Sequence, residues 1–119
     1  MRLELGLSNP QRPGATEYVE LEVRPEALFS WISQARLQRI GVDAFRMMSF
    51  RKLDGTLIQR GMAAVQIGLA GYTALEGVVS AQESEQEFIG CHTLAAVGLK
   101  FDEADNKLVE PIWPALVAD

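Results

Sequence analysis

Apolar and polar residues alternate over much of the chain, and this alternation predicts extended structure. The pattern is clearest in residues 18–23, where apolar side chains alternate with two glutamates, as in a half-buried strand. Polar, proline-containing and glycine-containing residues at 8–14 indicate a loop after the first apolar run. The pattern predicts early strands over residues 1–7, 18–23 and 29–32.

Turn signals divide the rest of the chain into further short strands. Asp54-Gly55 is a strong hairpin signal because both central positions of such a turn tolerate positive φ. The glycines within residues 68–71 indicate a second turn of the same kind. We therefore predict two hairpins, from residues 45–53 with 56–60 and from residues 62–69 with 72–80. After a polar loop at 82–86, shorter extended segments are predicted at residues 87–90, 99–101 and 107–110.

Two short helices interrupt this extended pattern. Ser33 is a candidate N-cap for a helix that continues to Ile40 and ends at Gly41. A second helix is predicted over residues 92–97, ended by Gly98. Two prolines in the apolar tail, residues 111–119, favour an edge or contact segment there. The prediction is an all-β domain with one or two short helices.

Length and cysteine content indicate one domain in a reducing compartment. A chain of 119 residues is long enough to form a core without disulfides, so residues 1–119 are predicted as one domain. Cys91 is the single cysteine and has no partner within the chain. Since no basic-then-apolar leader and no run of eighteen apolar residues occurs, we expect a cytoplasmic protein that does not span a membrane.

The net charge of −5 argues against nucleic acid as a partner, because phosphate binding depends on clustered lysine and arginine. The charge is unevenly distributed, however. Residues 24–60 contain seven basic and three acidic residues, a local charge of +4. This bias is either a coincidence of solvated strand faces or a basic surface that prefers an acidic peptide.

The residue types needed for several common chemistries are missing. Cys91 and His92 are adjacent, so their side chains point in different directions, and there is no second histidine to act as a base. Together they supply at most two of the ligands that zinc usually takes. No glycine-rich phosphate loop is present, so neither a metal nor a cofactor is expected. Trp31 and Trp113 are predicted in the core or at an interface.

Three segments follow one another along the chain: LFSWISQARLQRIGV, FRKLDGTLIQRGMAAVQIGLAGYTALEGVVSA and EFIGCHTLAAVGLKFDEADNKLVEP. Their order resembles that of the retropepsin-like aspartic proteases, particularly the small single-lobe prokaryotic members. In that family a strand leads into Asp-Thr-Gly-Ala, and a helix and a flap-like hairpin follow. Two apolar residues and a glycine, here residues 88–90, then precede a short helix with the pattern Thr-Leu-x-x-x-Gly-Leu, here residues 93–99. The resemblance covers about residues 17–112 and implies a closed single-lobe β barrel that forms a homodimer.

The same resemblance aligns Arg24, Pro25 and Glu26 with the Asp, Thr and Gly of the family motif, of which only Ala27 remains. In the family, each half of a two-fold dimer contributes one aspartate, and the two carboxylates share a proton. Arginine stays protonated, so it can act neither as the base that activates water nor as the acid that donates a proton. Proline lacks the N–H of threonine, and glutamate adds a long side chain where glycine lets the backbone approach substrate. The resemblance therefore implies a homologue that has lost protease activity.

Without catalysis, the function that this resemblance implies is binding, by a homodimer whose groove holds an extended peptide or protein segment. The hairpin around Asp54 and Gly55 would cover that groove, with Arg51 and Arg60 beside it. Two other functions stay open: an active aspartic endopeptidase that uses a non-standard acid, Glu26 or Glu22, and a small β assembly module unrelated to proteases.

The role of the replaced motif also has two interpretations. Two Arg24 guanidiniums that met near the dimer axis would repel each other unless an acid neutralised them. In the first interpretation, Arg24 of one subunit pairs with Glu26 of the other and stabilises the dimer. In the second, both side chains turn outward to solvent.

Overall fold

A mostly antiparallel sheet curls into a nearly closed barrel in the computed structural model of this chain. The structure describes residues 1–118, which form nine strands and two short helices in this order: β1 (Arg2–Asn9), β2 (Arg12–Arg24), β3 (Trp31–Ser33), α1 (Gln34–Arg39), β4 (Ala44–Arg51), β5 (Leu57–Leu69), β6 (Tyr72–Ala81), β7 (Ile89–Gly90), α2 (Cys91–Ala96), β8 (Lys100–Asp102) and β9 (Lys107–Val109). The predicted all-β class with short helices is confirmed.

The main sheet has the strand order β3-β6-β5-β1-β2-β7, and β4 pairs with the first half of β5. Two pairings are parallel, β2 with β7 and β3 with β6, and the others are antiparallel. β8 and β9 form a separate hairpin. Alternate residues of the strands, together with both helices, build one core, in which the largest fully buried apolar side chains are Leu5, Leu7, Ile32, Leu37, Ile67, Ile89 and Leu94.

The two strands predicted at 56–60 and 62–69 are a single strand, β5, so that prediction is wrong. Gly61 lies at the centre of β5 and does not interrupt it. A Cβ atom on Gly61 would lie 2.7 Å from the Cβ atom of Ala44, so the glycine allows β4 to approach β5 closely. The predicted pair of hairpins is therefore a continuous meander of β4, β5 and β6.

The loop predicted at residues 8–14 is also wrong, because β1 and β2 are joined by a two-residue turn and β2 starts at Arg12. Asn9 explains the tight turn. Its side-chain oxygen accepts a 2.9 Å hydrogen bond from the backbone N–H of Gln11, while its Nδ2 donates to the carbonyls of Ile40 and Gly41. These contacts connect the turn to the end of α1.

Both helices lie where the capping signals predict them. Ser33 caps α1 by accepting a hydrogen bond from the Arg36 N–H, and Gly41 follows the helix with φ of +74°. α2 starts one residue earlier than predicted, and Gly98 follows it with φ of +78°. Each helix has six residues. Within residues 1–118, no helix has the length and hydropathy of a membrane span.

Two predicted extended segments are shorter than expected or absent. Only Trp31 and Ile32 of the predicted strand 29–32 are extended, since the chain approaches β3 through a loop. Residues 110–118 of the tail form neither helix nor strand, so of the predicted edge or contact segment the edge alternative is wrong, and residue 119 lies outside the described residues. Trp113 of this tail is half-exposed and borders a cavity against α2.

The loop between β2 and β3 packs against the start of α2 through buried backbone contacts. Ser30 and Thr93 are fully buried and their hydroxyl groups bond to each other. The Ser30 Oγ atom also accepts a 2.9 Å hydrogen bond from the Gly90 N–H. At Gly90 a Cβ atom would lie 2.5 Å from the carbonyl carbon and oxygen of Phe29. A residue without a side chain is therefore required at this crossing.

We expect Gly90→Ala to destabilise the fold by about 3 kcal/mol, because the atoms in its way belong to backbone that cannot rotate aside. Gly68→Ala is the matched control, since the nearest atom to its Cβ would be 4.0 Å away, and its cost should be under about 1 kcal/mol. Urea unfolding of the two variants measures both values. Equal losses would show that the crossing at Gly90 is not a tight constraint.

Candidate functional site

Residues 24–27, which the family resemblance aligns with the catalytic motif, form a tight turn that is held against α2. β2 ends at Arg24, and the N–H of Ala27 donates to the Arg24 carbonyl at 3.0 Å. The first amides of α2 then bond to this loop, Cys91 N–H to the Ala27 carbonyl at 2.8 Å and His92 N–H to the Leu28 carbonyl at 2.9 Å. Because the backbone on both sides is bonded, Arg24 projects from a fixed position.

The Arg24 guanidinium has one good polar partner and one distant one. Its Nη2 donates to the Gln86 side-chain oxygen at 3.0 Å, and its central carbon lies 6.0 Å from the centre of the Phe88 ring. Its Nη1 is 3.9 Å from the Glu26 carboxylate of the same chain, at the limit for an ion pair. Since 42% of the Arg24 side chain is exposed, this contact with Glu26 is weak.

The two acids considered as catalytic substitutes lie in different surroundings. The Glu26 side chain is 67% exposed on the turn. The Glu22 carboxylate accepts a 2.9 Å hydrogen bond from the amino group of Met1, which holds the pKa of Glu22 below its ordinary value of 4.5. Neither carboxylate is therefore placed in a closed site beside a second acid.

A cleft of about 890 Å³ lies beside this turn, under the tip of the β4–β5 hairpin. Trp31 and Phe88 exchange two backbone hydrogen bonds of 3.0 and 3.1 Å, which places their rings 6.2 Å apart and nearly parallel. Phe50 of β4 packs edge-on against Trp31, with ring centres 5.4 Å apart. These three half-buried rings form an apolar floor, and Ala27, Leu53 and Ile58 also line the cleft.

The predicted turn at the tip of this hairpin is confirmed. The Asp54 side chain accepts a 2.8 Å hydrogen bond from the N–H of Thr56, which lowers the pKa of Asp54, and Gly55 has φ of +89°. Arg51 donates to the Gly55 carbonyl at 3.1 Å. Arg51 and Asp54 line the cleft, whereas Gly55 shapes the turn.

Arg60, the fourth residue predicted to contact a peptide, holds the hairpin in place instead of lining the cleft. Its Nε and Nη2 donate to the two carboxylate oxygens of Glu85 at 2.9 and 2.8 Å. Both side chains are mostly buried, 14% and 21% exposed. Glu85 lines the cleft from the loop after β6, so the pair joins that loop to β5.

Cys91 and His92 face different neighbours, as predicted from their adjacency. Cys91 borders a cavity of about 360 Å³ together with Pro25 and Trp113. The His92 Nδ1 atom lies 3.0 Å from both carboxylate oxygens of Glu76, which is buried on β6. In the described residues, no three histidine, cysteine, aspartate or glutamate side chains come close enough together to hold a metal ion.

The aromatic floor and the Arg60–Glu85 pair are the parts of this site that the sequence did not predict. Trp31, Phe50 and Phe88 belong to three distant segments and share no motif. Glu85 and Arg60 are 25 positions apart, so no local spacing connects them. A stretch of residues around 85–88 that combines acid, amide and aromatic side chains was the one signal available.

Comparison with known proteins supports the fold. One solved structure similar to this chain is the retroviral protease-like domain of Ddi1 from Leishmania major, with a TM-score of 0.54 and 17% sequence identity over 91% of this chain and 86% of that one. No family model and no curated protein matches the sequence. The chain therefore has a retropepsin-like fold, and this likeness shows the fold alone.

We expect Glu85→Gln to lower the free energy of unfolding by about 1–2 kcal/mol near neutral pH, because it removes the charge that binds Arg60. The hydrogen bond from Arg60 holds the pKa of Glu85 below its ordinary value of 4.5. The ionised form therefore stabilises the fold above about pH 4.5, and this contribution is lost as the pH falls from there through the folded-state pKa.

Glu83→Gln is the control, because Glu83 is an exposed acid in the same loop and its loss should cost less than about 0.5 kcal/mol. Urea unfolding at neutral and acidic pH measures both variants. If Glu85→Gln is still less stable than the wild type at acidic pH, the stabilisation does not come from the ionised Glu85 carboxylate bound to Arg60.

Proposed function

We propose that this protein is a catalytically inactive retropepsin-like module that binds an extended peptide or protein segment as a homodimer. The observation that carries the proposal is the apolar cleft under the β4–β5 hairpin, one of whose lining residues, Gln86, binds the Arg24 guanidinium. The family resemblance aligns Arg24 with the catalytic acid of the proteases. The reducing cytoplasm expected from the single cysteine remains part of this proposal.

The side chains around the turn support a loss of catalysis. An aspartic protease needs two carboxylates that share one proton, so that one activates water while the other donates. Arg24 remains charged at working pH and supplies neither function. Glu26 is mostly exposed and points toward Arg24, and catalysis requires far tighter positioning than a mobile exposed side chain provides.

The cleft itself supports peptide binding. Its floor consists of aromatic rings, which offer large apolar contact area at low cost in side-chain entropy. Its wall is the β4–β5 hairpin, whose strands present backbone donors and acceptors near the turn. An extended segment suits such a site because alternate side chains would enter the cleft while the backbone pairs along the hairpin. The retropepsin-like fold argues against a β module unrelated to proteases.

We include a homodimer in the proposal because the family resemblance implies that a single lobe supplies half of a two-fold groove. In a two-fold dimer the two Arg24 side chains would lie near the axis. Arg24 and Glu26 of one chain are 3.9 Å apart, so each has room for a better partner in the other subunit. An exchanged pair across the axis and an outward orientation of both side chains therefore remain the two alternatives.

We expect a solution mass twice the 13.1 kDa of the chain. Sedimentation equilibrium measures it, and a monomer at all concentrations would remove the dimer from the proposal. Arg24→Ala discriminates the two orientations. A dimer dissociation constant raised by about tenfold indicates the exchanged ion pair, and an unchanged constant indicates that both side chains face solvent.

We expect no cleavage of a mixed peptide library at either acidic or neutral pH, in the wild type or in Glu26→Gln, because no acid pair is available for proton exchange. Mass spectrometry of the library detects cleavage products. Cleavage that Glu26→Gln abolishes, or that an inhibitor mimicking the tetrahedral intermediate blocks, would establish the rival function of an aspartic endopeptidase.

A further inference from the structure

The carboxylates that border the cleft are already bonded within the chain. Arg60 holds Glu85 by two hydrogen bonds, of 2.9 and 2.8 Å. Asp54 accepts the N–H of Thr56 at 2.8 Å, and this hydrogen bond keeps its pKa low. Glu85 is therefore neutralised by Arg60 and repels a bound ligand's carboxylate less than a free acid would, whereas Asp54 stays ionised at the tip of the hairpin, where Arg51 and Lys52 also line the cleft.

Three cations at or near the cleft are less fully paired. Arg51 and Lys52 line the cleft, whereas Arg24 lies just outside its lining, next to Gln86 and Phe88, which do line it. Arg24 has a neutral partner in Gln86, and its nearest acid is Glu26 at 3.9 Å. In the described part of the chain, Arg51 and Lys52 form no ion pair, although Arg51 donates to the Gly55 carbonyl. The border of the cleft therefore offers positive charge in a chain whose net charge is −5.

Arg24 and the aromatic floor are close enough for one ligand to contact both. The Arg24 guanidinium lies 6.0 Å from the centre of the Phe88 ring, and Phe88 packs against Trp31 in the floor. In an extended peptide, side chains two positions apart point the same way and are about 7 Å apart. A peptide could thus place an apolar side chain on the floor and a carboxylate at Arg24.

We propose that Arg24 determines the specificity of the cleft, which takes an extended peptide carrying a glutamate or aspartate two positions from a large apolar residue. This inference rests on the proposed peptide-binding function and names the class of ligand. The planar guanidinium can bind a carboxylate through two parallel hydrogen bonds, which a glutamine side chain of the ligand cannot reproduce. The position that carries the acid in the fold's proteases thereby becomes a receptor for an acid of the ligand.

The test measures binding of short fluorescein-labelled peptides by fluorescence anisotropy. One phenylalanine is fixed, the residue two positions away is glutamate, glutamine or lysine, and the other positions vary. Wild-type protein should bind the glutamate set about tenfold more tightly than the glutamine set, and this preference should decrease at high salt. Arg24→Gln should reduce the preference to about twofold or less, and Arg24→Lys should retain part of it.

Two control variants, Arg46→Gln and Phe45→Ala, show whether the preference for glutamate and the binding itself depend on the cleft. Arg46→Gln removes an exposed arginine of β4 that does not line the cleft, and it should keep the full preference for glutamate. Phe50→Ala should weaken binding of every peptide set, whereas Phe45→Ala, which removes a 61% exposed ring of the same strand, should not. Thermal melting and solution mass of each variant confirm that it is folded and in the same oligomeric state.

The outcomes separate this inference from the proposed function. If no peptide set binds the wild type, peptide binding itself is wrong, and the inference fails with it. If glutamate and glutamine sets bind equally, peptide binding stands and the specificity is wrong. If the preference for glutamate survives in Arg24→Gln, another cation is responsible and the assignment to Arg24 is overturned.

Discussion

The contact between the loop after β2 and the start of α2 positions the side chains of the candidate site that flank this loop, Arg24 and Trp31. Gly90 lets the Phe29 carbonyl approach to a distance that any side chain would prevent, and the buried Ser30 and Thr93 hydroxyls hold the two segments together. This contact sets Arg24 at one end of the loop and Trp31 at the other. A surface arginine on a mobile loop would have no defined relation to the aromatic rings, since exposed ion pairs alone rarely order a side chain.

The segment after β6 then attaches the hairpin wall of the cleft to the rest of the fold, because two of its three glutamates bind different elements. Glu85 binds Arg60 of β5, and Glu87 accepts hydrogen bonds from the Ser33 N–H at 2.8 Å and from the Arg36 Nε at 2.9 Å. The hairpin and α1 are thus attached to one short loop that also carries Phe88. A change in this loop would move the wall and the floor of the cleft together.

Local signals predicted the elements whose ends are decided by single residues. Ser33 caps a helix and Gly41 follows it in a left-handed conformation, and Asp54 with Gly55 makes a hairpin turn whatever lies around it. Gly61 was misread as a break because a glycine that ends a strand and one that admits a neighbouring strand look alike in sequence. The alignment of Arg24 with the family's catalytic aspartate comes only from the family resemblance and stays a prediction.

The rest of the candidate site depends on contacts between distant segments, which no periodic pattern records. The stacking of Trp31 on Phe88 follows from an isolated pair of backbone hydrogen bonds across 57 positions. In the proposed dimer, an arginine at the position that the family resemblance aligns with the catalytic aspartate would reverse what the centre requires, because two carboxylates can share one proton whereas two guanidiniums need an anion. If the two Arg24 side chains of the proposed dimer face each other and do not turn outward to solvent, that anion would be Glu26 of the other subunit or a carboxylate of the ligand, and the two would compete for the same donors. Ligand binding at Arg24 would therefore be coupled to dimer stability, and an acidic peptide that displaces Glu26 would bind more weakly by the free energy of the pair it breaks.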